Sequence, residues 1–104
     1  MLALTRRLLL GNTLNSTSRA MLIKWMTQNE TGAVRLRAGF PARWRAGDRT
    51  GTADGQTNDV AIAWPTPRSR PLLVTCYVDA PHASAEAGVA AQAAVGRIAT
   101  SLVR

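Results

Sequence analysis

The chain has 104 residues, enough for one domain or part of one, and 46% are hydrophobic against 18% charged, which is a globular rather than a disordered composition. The net charge is +7, carried by twelve arginines and one lysine, and no acid precedes Glu30. The arginines are scattered, without a run of five basic residues or an aromatic stacking platform, so the excess reads as an Arg-rich surface with no nucleic-acid or membrane partner. A single cysteine, Cys76, excludes an internal disulfide, and its apolar surroundings point to a buried, inert thiol. His82 has no second His or Cys neighbour to complete a metal site, and no cofactor is expected. No apolar run approaches the ~20 residues of a membrane span.

In chain order, residues 2–10 form a short apolar helix that stops at Gly11 and Asn12. The opening segment lacks the long apolar stretch and cleavage site of a secretory signal. Asn15 caps a second helix running to about Gln28, with Leu22, Trp25, Met26 and Asn29 at the spacing of a buried stripe. Thr31 to Pro41 is a turn-rich connector with room for a helical turn. Three strands follow at 43–50, 58–64 and 72–78. On the second, Val60, Ile62 and Trp64 alternate against Ala61 and Ala63; on the third, Leu72, Val74, Cys76 and Val78 alternate against Leu73, Thr75 and Tyr77. The turn-rich stretches 51–57 and 65–71 make hairpins, hence an antiparallel meander. From about His82 to Val103 a helix packs through Ala91, Val95, Ile98 and Leu102, with Gly88 and Gly96 as weak points. The fold class is α+β, with a three-stranded meander and flanking helices.

One stretch carries more specific information. Gly47-Asp48-Arg49-Thr50-Gly51-Thr52 is followed by a strand that opens Asn58-Asp59. Upstream stand Trp25-Met26, Asn29, Thr31-Gly32 and the run Arg35-Leu36-Arg37-Ala38-Gly39-Phe40-Pro41-Ala42 ahead of Trp44. Together these resemble the C-terminal part of class A serine β-lactamases. Arg49-Thr50-Gly51 stands where the family has its third active-site motif, Lys-Thr-Gly. The resemblance covers nearly all 104 residues. It implies the C-terminal part of the β-lactamase/penicillin-binding transpeptidase-like fold in 1–104, with no second domain and with further strands pairing beyond 72–78. The Asn58-Asp59 start and the Arg35-x-Arg37 run favour a lactamase over a penicillin-binding or acyl-transferase relative.

The resemblance also implies roles. An edge strand exposes backbone groups that can pair with a β-lactam's amide side chain. Thr50 and Thr52 would offer hydroxyls to its carboxylate, the Thr52 N–H would donate to the oxyanion, and Arg49 would supply the positive field. Gly51 completes the substrate-binding set. Arg cannot serve as a proton shuttle and is bulkier than Lys. Many members hold the carboxylate with a further Arg. Two of its usual locations are occupied here by residues near Thr57 and Gly88, and Arg35 fits the third; it reads equally as a substrate ligand or a plain surface Arg. Arg37 reads as a structural partner for Asp48 or Asp59. The hairpin is about one residue shorter than the family's and lacks its aromatic. The family's Ser-x-x-Lys, Ser-Asp-Asn and deacylating Glu are absent from this sequence. The expectation is therefore a substrate-binding wall without its nucleophile, inactive alone, with an N-terminal segment missing and a periplasmic or secreted location by resemblance. The alternative is a small basic module for nucleic acid or an anionic surface.

Overall fold

The computed structural model describes residues 1–103. Three helices flank one sheet: α1 (Leu2–Leu10), α2 (Ser16–Gln28), a 3₁₀ turn (Leu36–Gly39), β1 (Arg45–Ala53), β2 (Gln56–Trp64), β3 (Leu72–Asp79) and α3 (Ala85–Thr100). The sheet order is β1-β2-β3 with both pairs antiparallel, which is the expected α+β meander. No described helix is long and apolar enough to cross a membrane.

Local chemistry sets the helix starts. The Asn15 side chain accepts from the Ser18 N–H at 2.8 Å, and Ser84 accepts from Ala87 N–H at 3.1 Å, so each cap satisfies a donor that the first turn leaves free. α3 therefore begins three residues after His82.

The alternation along β2 divides the core. Ala61 and Ala63 join Leu36 and Phe40 on the α3 side, with Trp44, Val74, Cys76 and Val95 at the margin. Ile62 joins Leu9 and Met26 on the α1–α2 side, with Leu22, Ile23, Trp64 and Leu73 around it. Cys76 is half-buried rather than fully buried; its partial burial raises the thiol pKa, and Asp59 adds to the effect.

Three expectations change. The first hairpin is tighter: β1 and β2 pair to Ala53↔Gln56, and Asp54-Gly55 alone make the turn, with Gly55 at φ 70°. The stretch 51–57 lacks apolar alternation because it extends beyond the core, yet its backbone pairing continues. In α2, Trp25 is 58% exposed, and Leu22, Ile23 and Met26 form the packing face.

The largest change is in α3. Ile98 and Leu102 are exposed, as is Ala91. The buried face is Gly88, Gln92, Gly96 and Ala99. A Cβ at Gly96 would stand 2.2 Å from the Leu36 carbonyl oxygen, and one at Gly39 would stand 2.3 Å from that of Ala93. The helix turns its smallest residues inward because two backbones meet there. Gln92, fully buried, then reaches the sheet and donates through Nε2 to the Thr57 carbonyl at 2.9 Å.

Gly96→Ala therefore has two opposed effects. Helix propensity favours Ala by up to about 1 kcal/mol, but the new methyl meets backbone that cannot rotate away, an overpacking cost of roughly 1–3 kcal/mol. The net expectation is destabilisation, measured as a lower midpoint in urea unfolding. A raised midpoint would show that the helix shifts without cost.

Candidate active-site wall

β1 and the 29–37 connector build the site. A two-residue turn makes Ala53 and Gln56 the hydrogen-bonded pair nearest the tip. Alternation then leaves Thr52 and Thr50 in the non-bonded positions, opposite Thr57 and Asp59. Their N–H groups point away from β2, along the free edge of β1. In front of Gly51 the space is open: a Cβ there would meet only Asn58 Cβ, at 4.0 Å.

The hydroxyls on this edge are tied to the connector. Asn29 Nδ2 donates to the Asp48 carbonyl at 3.0 Å and to Asp48 Oδ1 at 3.2 Å. Its Oδ1 is thereby left as an acceptor, and the Thr31 hydroxyl donates to it at 3.0 Å. The Thr50 hydroxyl lies 2.8 Å from Thr31 Oγ1 and so donates to it. Arg35 Nη2 donates to Thr52 Oγ1 at 2.8 Å, and its Nη1 donates to the Asn58 carbonyl at 3.0 Å. Thr52 thus accepts from a cation and keeps its own proton for an incoming group.

The structure brings Thr50, Gly51, Thr52 and Arg35 together. Arg49 stands apart: the pleat sends its side chain to the other face of β1, where it is exposed. A cleft of about 70 Å³ separates the hairpin from the start of α3, lined by Thr52, Thr57, Ser84 and Gly88 among others.

Beneath the edge lies a buried acid pair. Asp48 and Asp59 have no solvent exposure. Arg37 Nε is 3.0 Å from Asp48 Oδ1, and Arg37 also donates to the Asn29 carbonyl, so Arg37 takes the structural role expected of it. Asp59 Oδ2 accepts from the Leu36 N–H at 3.1 Å. The two oxygens left over are Asp48 Oδ2 and Asp59 Oδ1, and a proton on Asp59 shared with Asp48 satisfies both. Burial, then the hydrogen bond and charge of Asp48, push the Asp59 pKa up to about 8, against the pull of the Leu36 N–H and Arg35.

Sequence reasoning misses Thr31 and the Asn29 side chain as parts of this wall, because helical spacing puts Asn29 on a core stripe. Their signal was the pair Asn29-x-Thr31, an Asx/hydroxyl pattern that forms local turns.

The acid pair makes stability depend on pH. Folded, Asp59 keeps its proton up to about pH 8; unfolded, it loses it near 3.8. Between those values the folded state binds more protons, so this group's contribution falls as pH rises through the window and is level on either side. Asp59→Asn, always neutral, should flatten the decline in Tm across that range. An unchanged slope in the variant would place the dependence elsewhere.

A family model described as the β-lactamase enzyme family matches residues 1–103. The β-lactamase CTX-M-8 of Citrobacter amalonaticus is 43% identical over 96 residues, covering 91% of this chain and 33% of that protein. The β-lactamase OXY-1 of Klebsiella oxytoca is 42% identical, with coverages of 91% and 33%. Among solved structures, the class A β-lactamase of the last common ancestor of Gram-negative bacteria superposes with a TM-score of 0.93 at 44% identity, over 100% of this chain and 40% of that one. The chain thus spans about a third of the length of the curated relatives it matches.

Proposed function

Because the chain belongs to the class A serine β-lactamase family, we propose that it supplies the substrate-binding wall for hydrolysis of the β-lactam amide bond. The observation that carries this reading is Arg35 bound to the Thr52 hydroxyl at 2.8 Å, beside an edge strand with outward N–H groups. The substrate carboxylate would receive the Thr52 proton and the charge of Arg35, a charge-assisted arrangement. Thr50 would add its hydroxyl, and the Thr52 N–H would donate to the acyl oxygen as negative charge develops there. Arg49, on the opposite face of the strand, would act through its field.

The nucleophile is not in this sequence: the one lysine is Lys24, three residues after Met21, so no Ser-x-x-Lys is present. We propose that acylation needs a second segment bearing Ser-x-x-Lys, Ser-Asp-Asn and the deacylating Glu, and that the location is periplasmic or secreted as in the family. The family match gives no support to a small basic module as the primary function.

The purified chain alone should not raise hydrolysis of a chromogenic cephalosporin above buffer; turnover surviving rigorous purification would overturn that expectation.

A second test supplies the N-terminal two-thirds of the Citrobacter relative, fused in frame. Hydrolysis should then appear. Arg35→Ala should lower kcat/KM for penicillins by about 2 kcal/mol, as for loss of a charge-assisted bond, and Thr50→Ala should lower it less. Arg37→Ala should reduce stability by about 3 kcal/mol by leaving Asp48 buried without its cation, with little change in kcat/KM. A silent Arg35→Ala beside a well-folded, inactive Arg37→Ala would reverse the two assignments.

A further inference from the structure

We propose that the end of the sheet opposite the Thr50–Thr52 wall is a binding site for a phosphate group. This site is separate from the lactam reading and does not rest on it: Arg45 lies five residues along β1 from Thr50, roughly 17 Å at strand rise.

The arginines that look scattered in sequence are gathered by the fold. The register Arg45↔Trp64 sets the segment entering β1 against the β2–β3 connection. Residues 41–46 and 64–71 together carry Arg43, Arg45, Arg68 and Arg70 and no carboxylate. All four side chains are exposed. The acids lie elsewhere: Asp48 and Asp59 are interior, Asp54, Asp79 and Glu86 cluster toward the hairpin tip and the α3 start, and Glu30 is in the connector.

The other engaged arginines mark the contrast. Among the described residues the one ion pair is Arg37–Asp48, and guanidinium hydrogen bonds come from Arg19, Arg35 and Arg37. Among the described residues no guanidinium hydrogen bond or ion pair engages Arg43, Arg45, Arg68 or Arg70.

Their surroundings have shape. One groove is lined by Arg43 and Arg70 with Trp44, Thr66, Ser69 and Val103 among others. A second shares Arg43 and Thr66 and adds Arg45, Trp64 and Pro67. Arg45 is held over the Trp64 ring at 4.4 Å. The loop between the grooves is fixed by its own bonds: the Thr66 and Ser69 hydroxyls lie 2.7 Å apart, Thr66 N–H donates to Ser69 Oγ at 3.1 Å, and Ser69 N–H donates to the Thr66 carbonyl at 3.1 Å. Two guanidinium groups and two hydroxyls beside an indole suit a doubly charged, multi-acceptor tetrahedral anion. A free phosphate, a phosphomonoester and a lipid headgroup share that chemistry.

The test uses tryptophan emission of the whole chain in a Trp25→Phe background, so that Trp44 and Trp64 report. Inorganic phosphate should give a saturable change that chloride at equal ionic strength does not. Arg43→Glu with Arg70→Glu should weaken it on the order of tenfold or more, as for a lost charge-assisted bond. Arg6→Glu with Arg7→Glu lowers the net charge equally and should leave it unchanged. If the first pair fails to fold by circular dichroism, Arg43→Gln with Arg70→Gln replaces it. Flotation with phosphatidylglycerol vesicles, against phosphatidylcholine, separates the sources: vesicle binding lost in the Arg43/Arg70 pair without a response to inorganic phosphate supports the site and assigns a headgroup. Equal weakening in both double variants would reduce the effect to net charge and overturn the proposal, as would no response to either probe.

Discussion

The wall depends on a carboxylate that never meets solvent. Asp48 is the second residue of the Gly47–Thr52 motif, and its side chain points inward to Arg37, Asn29 and Asp59. Those three partners come from the connector, the end of α2 and the neighbouring strand. Remove the charge at Asp48 and three separate segments lose their common anchor. The hydroxyl edge above it inherits its geometry: Asn29, oriented by two bonds to Asp48, orients Thr31, and Thr31 orients Thr50. Buried polar clusters of this kind specify an arrangement at a cost in desolvation, and the proton on Asp59 lowers that cost by keeping two adjacent carboxyls from carrying two charges.

Close approach is the second constraint. Gly32 lies against the Asp48 carboxyl so tightly that a Cβ would be 1.4 Å from Oδ2, and a Cβ at Gly47 would be 2.6 Å from the backbone of Met26 and Thr27. Gly47 thus brings β1 against the backbone of α2, and Gly39 with Gly96 brings the 3₁₀ turn against the backbone of α3 on the other side of the sheet. On the α3 side the sheet contributes few large side chains, and Ala61 and Ala63 are fully buried there. The helices come close because nothing bulky holds them off, and dispersion between backbones replaces the contacts that larger residues would make.

Most of the fold was legible because it follows rules that act locally. Asn15 was read as a cap, the 65–71 stretch as a connection, and the faces of β2 and β3 by alternation. The order of elements carries the overall α+β arrangement, and of the two acids open to Arg37 the structure selects Asp48. The packing face of α3 was not legible, because periodicity counts bulk: Ile98 and Leu102 outweigh Gly96 on any hydrophobic scale, whereas the helix is positioned by a backbone contact that no side chain announces. Asp54-Gly55 was a legible turn submerged in polar neighbours. The charge distribution was hidden for a different reason. Arg43 and Arg70 are remote in sequence, and only the pairing of β1 with β2 makes them neighbours.

The two threonines of the edge differ in what an arriving anion must undo. Thr50 has already given its proton to Thr31, and Thr52 has already received one from Arg35. An anion approaching Thr52 finds a hydroxyl whose rotor is set by the guanidinium and whose hydrogen is uncommitted. At Thr50 it must first win a proton away from a neighbour. Two side chains of the same type, separated by one glycine, thus act unequally: one greets an acceptor at once, and the other responds only after a rearrangement that reaches back through Thr31 to Asn29. An acceptor on this strand would be met unequally along its length, and the inequality comes from which way each hydroxyl faces.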